Sequence, residues 1–520
     1  MTEFTYTTVG SNEGDRARFE EALARFQGMQ GAEHPMYIGR TQVRSGSTFE
    51  VRSPIDHEIL LGSVQAGAEE HIREAIVAGQ RAFPQWSGLA WKERTRIIRS
   101  IADRIDRDLF LFAARITMEG GKTMLESLAE CGEIVAMLRF YADVYEKNGG
   151  YDMPVPHPRP GEDSRSVLRP YGLWAVISPF NFPLALGGAM AAGALLTGNT
   201  VILKPTTEAP LSGIAFCEAC IEAGIPAGAI NLVTAPGSIF GEVVAAHPQV
   251  DGIAFTGSRA VGMWLYRTCV AHNSYPKPLV AEMGSKNPVI VTAHADADAA
   301  VQGIVRSAFT YSGQKCSATS RVYIHTDIRD ELVRLLTAQV QDLVIGDPRE
   351  RDTFAGPLIN GTAAETFRHA VRRCTADGGT ILAGGALLEQ HRKGFYATPT
   401  IATALPRDHP LVRDELFVPF LVLDEIHSLE EGIGAANDTE YGLTAGIFSR
   451  DEEEVRTFFE HIHFGVCYAN RRGGATTGAW PGAQPFTGWK GSGLSGRGAG
   501  GSYYLLSFVR EQGRTLQVAP

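Results

Sequence analysis

From Gly172 onward the apolar positions fall into short continuous runs separated by stretches of helical period. The runs are Gly172–Ser178, Thr200–Lys204, Ala229–Thr234, Gly252–Thr256 and Leu279–Glu282. Between them lie helical patterns over Ala185–Leu196, Leu211–Glu222, Gly241–Ala246 and Ala260–Ala271. Near-continuous apolar strands alternating with helices predict a parallel sheet covered on both faces. Such sheets bind ligands at the carboxyl ends of their strands. Asn181, Lys204, Thr256-Gly257-Ser258 and Glu282 all follow strand ends and can converge on one crevice. A second α/β series follows, with strands at Pro288–Val291, Arg321–His325, 417–425, 444–449 and 465–469. Its helices cover 297–311, 328–344 and 361–377, and it holds Cys316.

The flanks read differently. A helix over 13–27 puts Phe19, Ala22, Leu23 and Phe26 on one face. Strands are expected at Thr48–Arg52 and Ile59–Val64, then helices near 67–83, 91–118 and 122–147, with Gly120-Gly121 between the last two. The proline-rich stretch Gly149–Glu162 reads as an extended connector, and Arg165–Arg169 as a strand ending at Pro170. The tail is glycine-rich from Gly488 to Gly501, then strand-like over Tyr503–Arg510. A strand after a loose loop pairs with an edge strand, its own or a partner's.

At 520 residues the chain has room for two or three domains, and 44% hydrophobic with 20% charged residues is an ordinary globular balance. A net charge of −10 argues against nucleic acid or an anionic membrane as main partner. No secretory signal is expected from Met1-Thr-Glu-Phe-Thr-Tyr. The longest apolar run, Pro183–Leu196, is too short for a bilayer and fits a buried helix. The cysteines at 131, 217, 220, 269, 316, 374 and 467 form an odd, dispersed set, which predicts reduced thiols in the cytoplasm.

Three stretches carry candidate chemistry. Cys316 sits among small and polar residues in Tyr311-Ser-Gly-Gln-Lys-Cys316-Ser-Ala-Thr-Ser320; Gly313 lets backbone approach, and Lys315 favours a thiolate if its charge is nearby. Glu282 ends a short apolar strand at a glycine-containing turn, and Asn181 lies in the stiff segment Ser178-Pro-Phe-Asn181-Phe-Pro183. Thiol, carboxylate and rigid amide are the parts of a covalent route through an acyl-enzyme. Phe255-Thr-Gly257-Ser-Arg-Ala-Val-Gly262 suits a pyrophosphate at a helix N-terminus, or is a plain strand–turn–helix with a serine cap. Lys204 binds a ribose or phosphate, or is a solvated strand end; Glu415 is a ribose-binding acid or a surface-loop residue. Gly491-Ser-Gly493-Leu-Ser-Gly496 matches a dinucleotide fingerprint literally, but no strand leads into it, so it reads as a flexible loop. Cys217 and Cys220 have metal-like spacing without a second pair, and no metal site is assigned.

Taken in order, Pro179-Phe-Asn181-Phe-Pro183, Leu203-Lys204-Pro205, Phe255-Thr-Gly-Ser258, Glu282-Met-Gly284, Gly313-Gln-Lys-Cys316, Glu415-Leu-Phe417 and Asn437-Asp-Thr-Glu-Tyr-Gly442 resemble the aldehyde dehydrogenase superfamily. The resemblance runs from about residue 40 to the end. It implies a Rossmann-like parallel-sheet cofactor domain over 1–148 and 171–282, and a second α/β catalytic domain over 283–484. Segments 149–170 and 485–520 would form a small β oligomerisation flap. It implies Cys316 as nucleophile, Glu282 as general base, and Asn181 with the Cys316 N–H as oxyanion hole. Ser178, Pro179, Phe180, Lys204, Thr207, Gly237, Phe255, Thr256, Gly257, Ser258, Met283, Glu415 and Phe417 would bind NAD, with NADP left open. A glutamate at 282 favours hydrolysis over transfer to coenzyme A.

Within the superfamily the likeness is to the L-glutamate γ-semialdehyde dehydrogenases, carried by Lys315-Cys316-Ser317, the run from Ser166 to Pro183, and Thr477-Gly-Ala479 leading to Gln484-Pro-Phe486. It implies that Ser317, Gly478 and Ala479 bind the substrate carboxylate, that Phe182 and Phe486 flank the aliphatic chain, and that Lys315 lies at the substrate. It also implies a homo-oligomer, with any link to proline dehydrogenase through a separate protein. Thr207, Ser285, Trp480-Pro481 and Thr487 depart from the pattern. The alternatives are a dehydrogenase for another carboxylated semialdehyde (α-ketoglutarate or succinate semialdehyde), a cofactor-free cysteine hydrolase, or a non-catalytic relative.

Overall fold

The computed structural model describes residues 13–157, 159–388, 393–474 and 480–517. Its frame is two seven-stranded sheets. In the first, the chain enters at Leu173–Ile177 and steps outward through Thr200–Lys204 and Ile230–Leu232. It then returns to the other side of the entry strand with Gly252–Thr256 and Leu279–Glu282, all parallel. That reversal opens a crevice beyond the carboxyl ends of Leu173–Ile177 and Gly252–Thr256. A hairpin of Met36–Ile38 and Thr41–Val43, too short to register as a pattern, extends the far edge. The second sheet runs Thr380–Ala383, Thr400–Thr403, Phe420–Ile426, Thr319–His325, Asn287–Val291, Thr444–Phe448 and Val466–Ala469, parallel except at its first strand. The fold is α/β, a Rossmann-like sheet and a second α/β sheet with a small β flap, as the sequence predicts.

The apolar strands are buried end to end because helices cover both faces. The helix Ala185–Leu196 packs among them through alanines and glycines. Two glutamates on the neighbouring helical layer serve the sheet helices directly. Glu130 Oε1 accepts from the N–H groups of Leu184 and Ala185 at 3.0 and 3.1 Å, satisfying the start of Ala185–Leu196. Its other oxygen pairs with Lys122 Nζ at 2.7 Å, both side chains fully buried. Glu119 does the same for Pro210–Glu222 through Leu211 and Ser212, at 2.8 Å each. Burial lifts the Glu119 carboxyl to about 7, against the pull of the Ser212 hydroxyl and Arg115.

Several expectations need correction. The helix over 91–118 is two, Trp91–Arg107 and Leu109–Gly120, because Asp108 leaves helical geometry at φ −107, ψ 27. The connector at 149–162 contains a strand, Asp152–Val155, paired to Glu162–Pro170. The tail strand is not Tyr503–Arg510. Tyr504–Phe508 form a tight 3-10 turn whose Tyr504, Leu505 and Phe508 are buried, and the strand begins at Val509. Gly193 admits the Phe508 ring, which a Cβ there would meet at 2.8 Å. The strand Val509–Gln517 pairs with the chain's own Glu162–Pro170 and is exposed after its first residue, so no alternation marks it. The helices Leu429–Asn437 and Glu452–His461 went unread.

Candidate active site

Carboxyl ends of the first sheet face the loops that lead into strands of the second. From the first side come Pro179-Phe180-Asn181 after Leu173–Ile177, Gly257-Ser258 after Gly252–Thr256, and Glu282 at the end of Leu279–Glu282. From the second come Cys316 before Thr319–His325, Glu415 and Phe417 before Phe420–Ile426, and Leu443 before Thr444–Phe448. All of these line one cavity of about 1120 Å³, counted out to its open mouth, together with Phe255, Thr256, Met283 and Phe486.

The cysteine loop is held in a costly backbone shape. Tyr311, Ser312 and Gly313 are consecutively left-handed, at φ 52, 53 and 69. For the two non-glycine residues this costs about 1–3 kcal/mol each, so the surroundings must enforce it. Tyr311 donates its hydroxyl to the Gly120 carbonyl at 2.8 Å and Ser312 donates to Gly356 at 2.7 Å. Gln314 bonds the Tyr311 and Pro357 carbonyls and accepts from the Ile359 N–H. Asn287 then fixes the far side, donating to the carbonyls of Cys316 and Ala318 at 2.8 and 2.9 Å. Gly313 serves a different approach from the one expected. A Cβ there would lie 2.6 Å from the Val418 carbonyl, so the glycine lets the cysteine loop pack on the Glu415–Pro419 loop. Phe417 is itself left-handed at φ 58, and its ring meets Phe180 edge-on at 5.7 Å.

Desolvation shifts each titratable group of the site toward its neutral form. Burial pushes the Cys316 thiol up to about 12, with Glu415 and Glu282 adding to it; the backbone N–H groups of Ser317 and Cys316 pull the other way. Burial lifts Glu282 to about 8, offset by one hydrogen bond from the Gly488 N–H. That bond is to Oε2 at 3.1 Å, while Oε1 is buried without a partner among the described residues. Glu415 rises to about 7 for the same reason, its Oε1 accepting from the Ser285 N–H at 2.8 Å. The Asn181 side chain, 3% exposed, has no hydrogen-bond partner among the described residues. Lys204, brought down to about 8 by burial, donates to the Pro205 carbonyl at 2.9 Å.

Other expected residues lie outside this lining. Lys315 does not put its charge on the thiol. Its buried ammonium pairs with Glu126 Oε2 at 2.5 Å and donates to Thr310 Oγ1 at 3.2 Å, and burial lowers its pKa. Phe182 is buried beside Lys122, whose Nζ lies 3.6 Å from the ring centroid. Ser317 is buried with its carbonyl accepting from Thr444 Oγ1. Ser178 braces its own loop through the Pro179 and Pro183 carbonyls. Gly237 opens the helix Gly237–Ala246 beside Lys204, and Thr207 is exposed. Gly478 and Ala479 lie outside the described residues. Sequence reading missed Tyr504, which lines the cavity near enough to Glu282 to feel its charge. It also missed the partner of Lys315, Glu126, one of several charged residues on the helix Met124–Lys147 and far from 315 in the chain.

The aldehyde dehydrogenase family matches residues 41–512. The chain is 34% identical over 507 residues to the 1-pyrroline-5-carboxylate dehydrogenase 1 of Halalkalibacterium halodurans, spanning 97% of this chain and 96% of that one. A solved Thermus 1-pyrroline-5-carboxylate dehydrogenase with bound NAD is similar at a TM-score of 0.93 and 30% identity, with 98% of each chain covered. Proline utilization A (PutA) of Bdellovibrio bacteriovorus is similar at a TM-score of 0.94 and 30% identity over 98% of this chain, which spans 52% of that longer protein.

Because the Lys315 ammonium is spent on Glu126, Lys315→Gln should leave the pH dependence of Cys316 alkylation in place while costing about 3–5 kcal/mol of stability through an uncompensated Glu126. Peptide-resolved alkylation across pH, with chemical denaturation alongside, checks both. An alkylation profile displaced upward by about a pH unit would put the lysine's charge on the thiol after all.

Proposed function

Because the chain belongs to the aldehyde dehydrogenase family, we propose that it oxidises L-glutamate γ-semialdehyde to L-glutamate on Cys316, with NAD as its cofactor. The observation that carries this reading is the meeting of the Cys316 thiol, the unspent Asn181 amide and the unspent Glu282 oxygen in one cavity. The substrate assignment rests on likeness to chains named 1-pyrroline-5-carboxylate dehydrogenases, that compound being the ring-closed form of the semialdehyde.

Cys316 Sγ attacks the aldehyde carbon. A thiol raised to about 12 gives up its proton as it attacks, and a buried carboxylate is the acceptor at hand. Negative charge then develops on the former carbonyl oxygen, where the Asn181 amide and the Cys316 N–H would donate to it. NAD, when bound, supplies the acceptor for the hydride that leaves this carbon. The residue left on Cys316 is a thioester. Glu282 takes a proton from water, the water oxygen attacks the acyl carbon, and the acid departs as Cys316 regains its proton.

The crevice fits a dinucleotide. Lys204 lies outside the cavity lining but two residues before its Thr206, with donors beyond its single bond to Pro205; the first turn of Arg259–His272 opens behind Gly257-Ser258, and Glu415 lines the cavity. Lys204 would hold a ribose, and Glu415 with Phe417 the nicotinamide end. For NAD rather than NADP, the support is Glu208. It accepts from Thr206 Oγ1 at 2.6 Å and acts electrostatically on Lys204, supplying beside Thr207 the carboxylate that Thr207 lacks.

We take residues 1–148 and 171–282 as the cofactor domain, 283–484 as the catalytic domain, and 149–170 with 485–520 as the bridging segments. A homo-oligomer suits the three-stranded flap, whose Met153, Val155 and Leu516 are exposed, and the helix Arg259–His272, which exposes Val261, Trp264 and Val270. No helix among the described residues is long and apolar enough to cross a membrane. Seven free thiols suit a cytoplasmic setting.

Two outcomes are expected. Purified protein should reduce NAD with L-glutamate γ-semialdehyde faster than with succinate semialdehyde, and more slowly with NADP; turnover on other aldehydes alone would keep the chemistry and sink the substrate, and ester cleavage indifferent to nucleotide would favour a hydrolase. The second concerns pH. The base form of Glu282 grows as pH rises through about 8, so hydrolysis-limited kcat should climb about tenfold per unit below that value and flatten above it. A profile flat between about pH 6 and 8 would remove Glu282 from that step.

A further inference from the structure

We infer that the glycine loop Gly488–Leu494 is the positioning device of Glu282 and that Ser492 is its key residue. The inference rests on the reading of Glu282 as the base of the hydrolytic step. The loop overlaps the literal dinucleotide fingerprint Gly491–Gly496, read from the sequence as a flexible loop with no strand before it; the short strand Trp489–Lys490 does lead into it, and it is not loose. It runs antiparallel against the strand that delivers Glu282, bridging Glu282 and Gly493. The Met283 N–H donates to the Ser492 carbonyl at 2.8 Å and the Leu494 N–H to the Ala281 carbonyl at 3.1 Å. The Gly488 N–H donates to Glu282 Oε2 at 3.1 Å.

Ser492 locks this arrangement. It is fully buried, its hydroxyl donates to the Gly284 carbonyl at 2.8 Å, and it accepts from the Gly442 N–H at 3.0 Å. Its neighbours Trp489–Lys490 pair antiparallel with Tyr441–Gly442. One hydroxyl thus ties the turn carrying the acid to the segment that enters the second sheet, the sheet whose loop carries Cys316. The loop closes only with glycines: a Cβ on Gly488 would lie 2.2 Å from the Ser492 carbonyl oxygen, and one on Gly493 2.5 Å from that of Gly488. With Oε2 held by the Gly488 N–H, Glu282 keeps Oε1 unpartnered in the cavity. Ser285 adds a second pin, accepting from the Leu443 N–H at 3.4 Å. A carboxyl released from the loop would rotate, and water activation depends on its alignment.

The test compares Ser492→Ala with Glu282→Gln in rapid-mixing assays of reduced-nicotinamide formation, using L-glutamate γ-semialdehyde and NAD. Ser492→Ala should keep the first-turnover burst, lower the steady state about tenfold, and move the acid limb of kcat to higher pH, because the N–H that favours the Glu282 carboxylate is no longer held in place. A structural role alone would lower burst and steady state in proportion and leave the pH profile unmoved; that result overturns the inference. If Glu282→Gln leaves the steady state untouched, the base assignment falls and takes the inference with it. If Glu282→Gln slows it and Ser492→Ala does not, the inference alone falls. Should Ser492→Ala not fold, Ser285→Ala decides: a slower steady state behind an intact burst supports the loop's role, and an unchanged steady state overturns it.

Discussion

Desolvation of the half-buried Cys316, Glu282 and Glu415 in one crevice, with no cation against the thiol among the described residues, sets the terms for everything the site does. Desolvation penalises charge, so each group is pushed toward its neutral form: the thiol to about 12 and the carboxyls to about 8 and 7. A resting thiol in such a place is inert toward passing electrophiles. In the proposed mechanism it becomes a nucleophile only when a carbonyl arrives whose developing charge the Asn181 amide and backbone N–H groups can accept. The same desolvation would keep Glu282, as the proposed base, weak enough to release its proton and strong enough to take one from water. A lysine on the thiol would undo this balance, and the structure keeps Lys315 occupied with Glu126.

Geometry is the second half of that constraint. The nucleophile and the acid belong to different sheets, so their relation is fixed by polar crosslinks rather than by one element. Ser492 bridges the two sides through Gly284 and Gly442, and Asn287 fixes the thiol's side, its amide donating to the carbonyls of Cys316 and Ala318 while its oxygen accepts from the Thr444 N–H, joining neighbouring segments of the second sheet. Buried glutamates Glu119 and Glu130 support the first sheet by capping its helices. The left-handed run at Tyr311-Ser312-Gly313 stores strain that these bonds sustain, which fits a loop aimed rather than merely closed.

Much of this was legible in the sequence, for identifiable reasons. The strands at 172–282 could be read because parallel strands buried on both faces are apolar throughout, and three of the five, Thr200–Lys204, Gly252–Thr256 and Leu279–Glu282, have the bounds expected. The helix Glu13–Gln27 buries the face its period predicts, Phe19, Ala22, Leu23 and Phe26. Cys316, Glu282 and Asn181 line one cavity because each follows or precedes a strand end on the facing edges of the two sheets. What escaped was long-range. Nothing near Lys315 announces Glu126, and nothing in Gly488–Leu494 announces the strand at Leu279–Glu282. The polar strand Val509–Gln517 hid because it is exposed after its first residue, and the apolar Tyr504–Phe508 looked like a strand because a buried turn needs the same residues.

In the proposed reaction an acyl group passes through a thioester on Cys316, and Glu282 removes it. Mass spectrometry of acid-quenched Glu282→Gln protein, mixed with L-glutamate γ-semialdehyde and NAD, measures this most directly. A glutamyl adduct should accumulate on the Cys316 peptide in the variant and be absent from the native enzyme at steady state. No adduct, or an adduct on another cysteine, would contradict it.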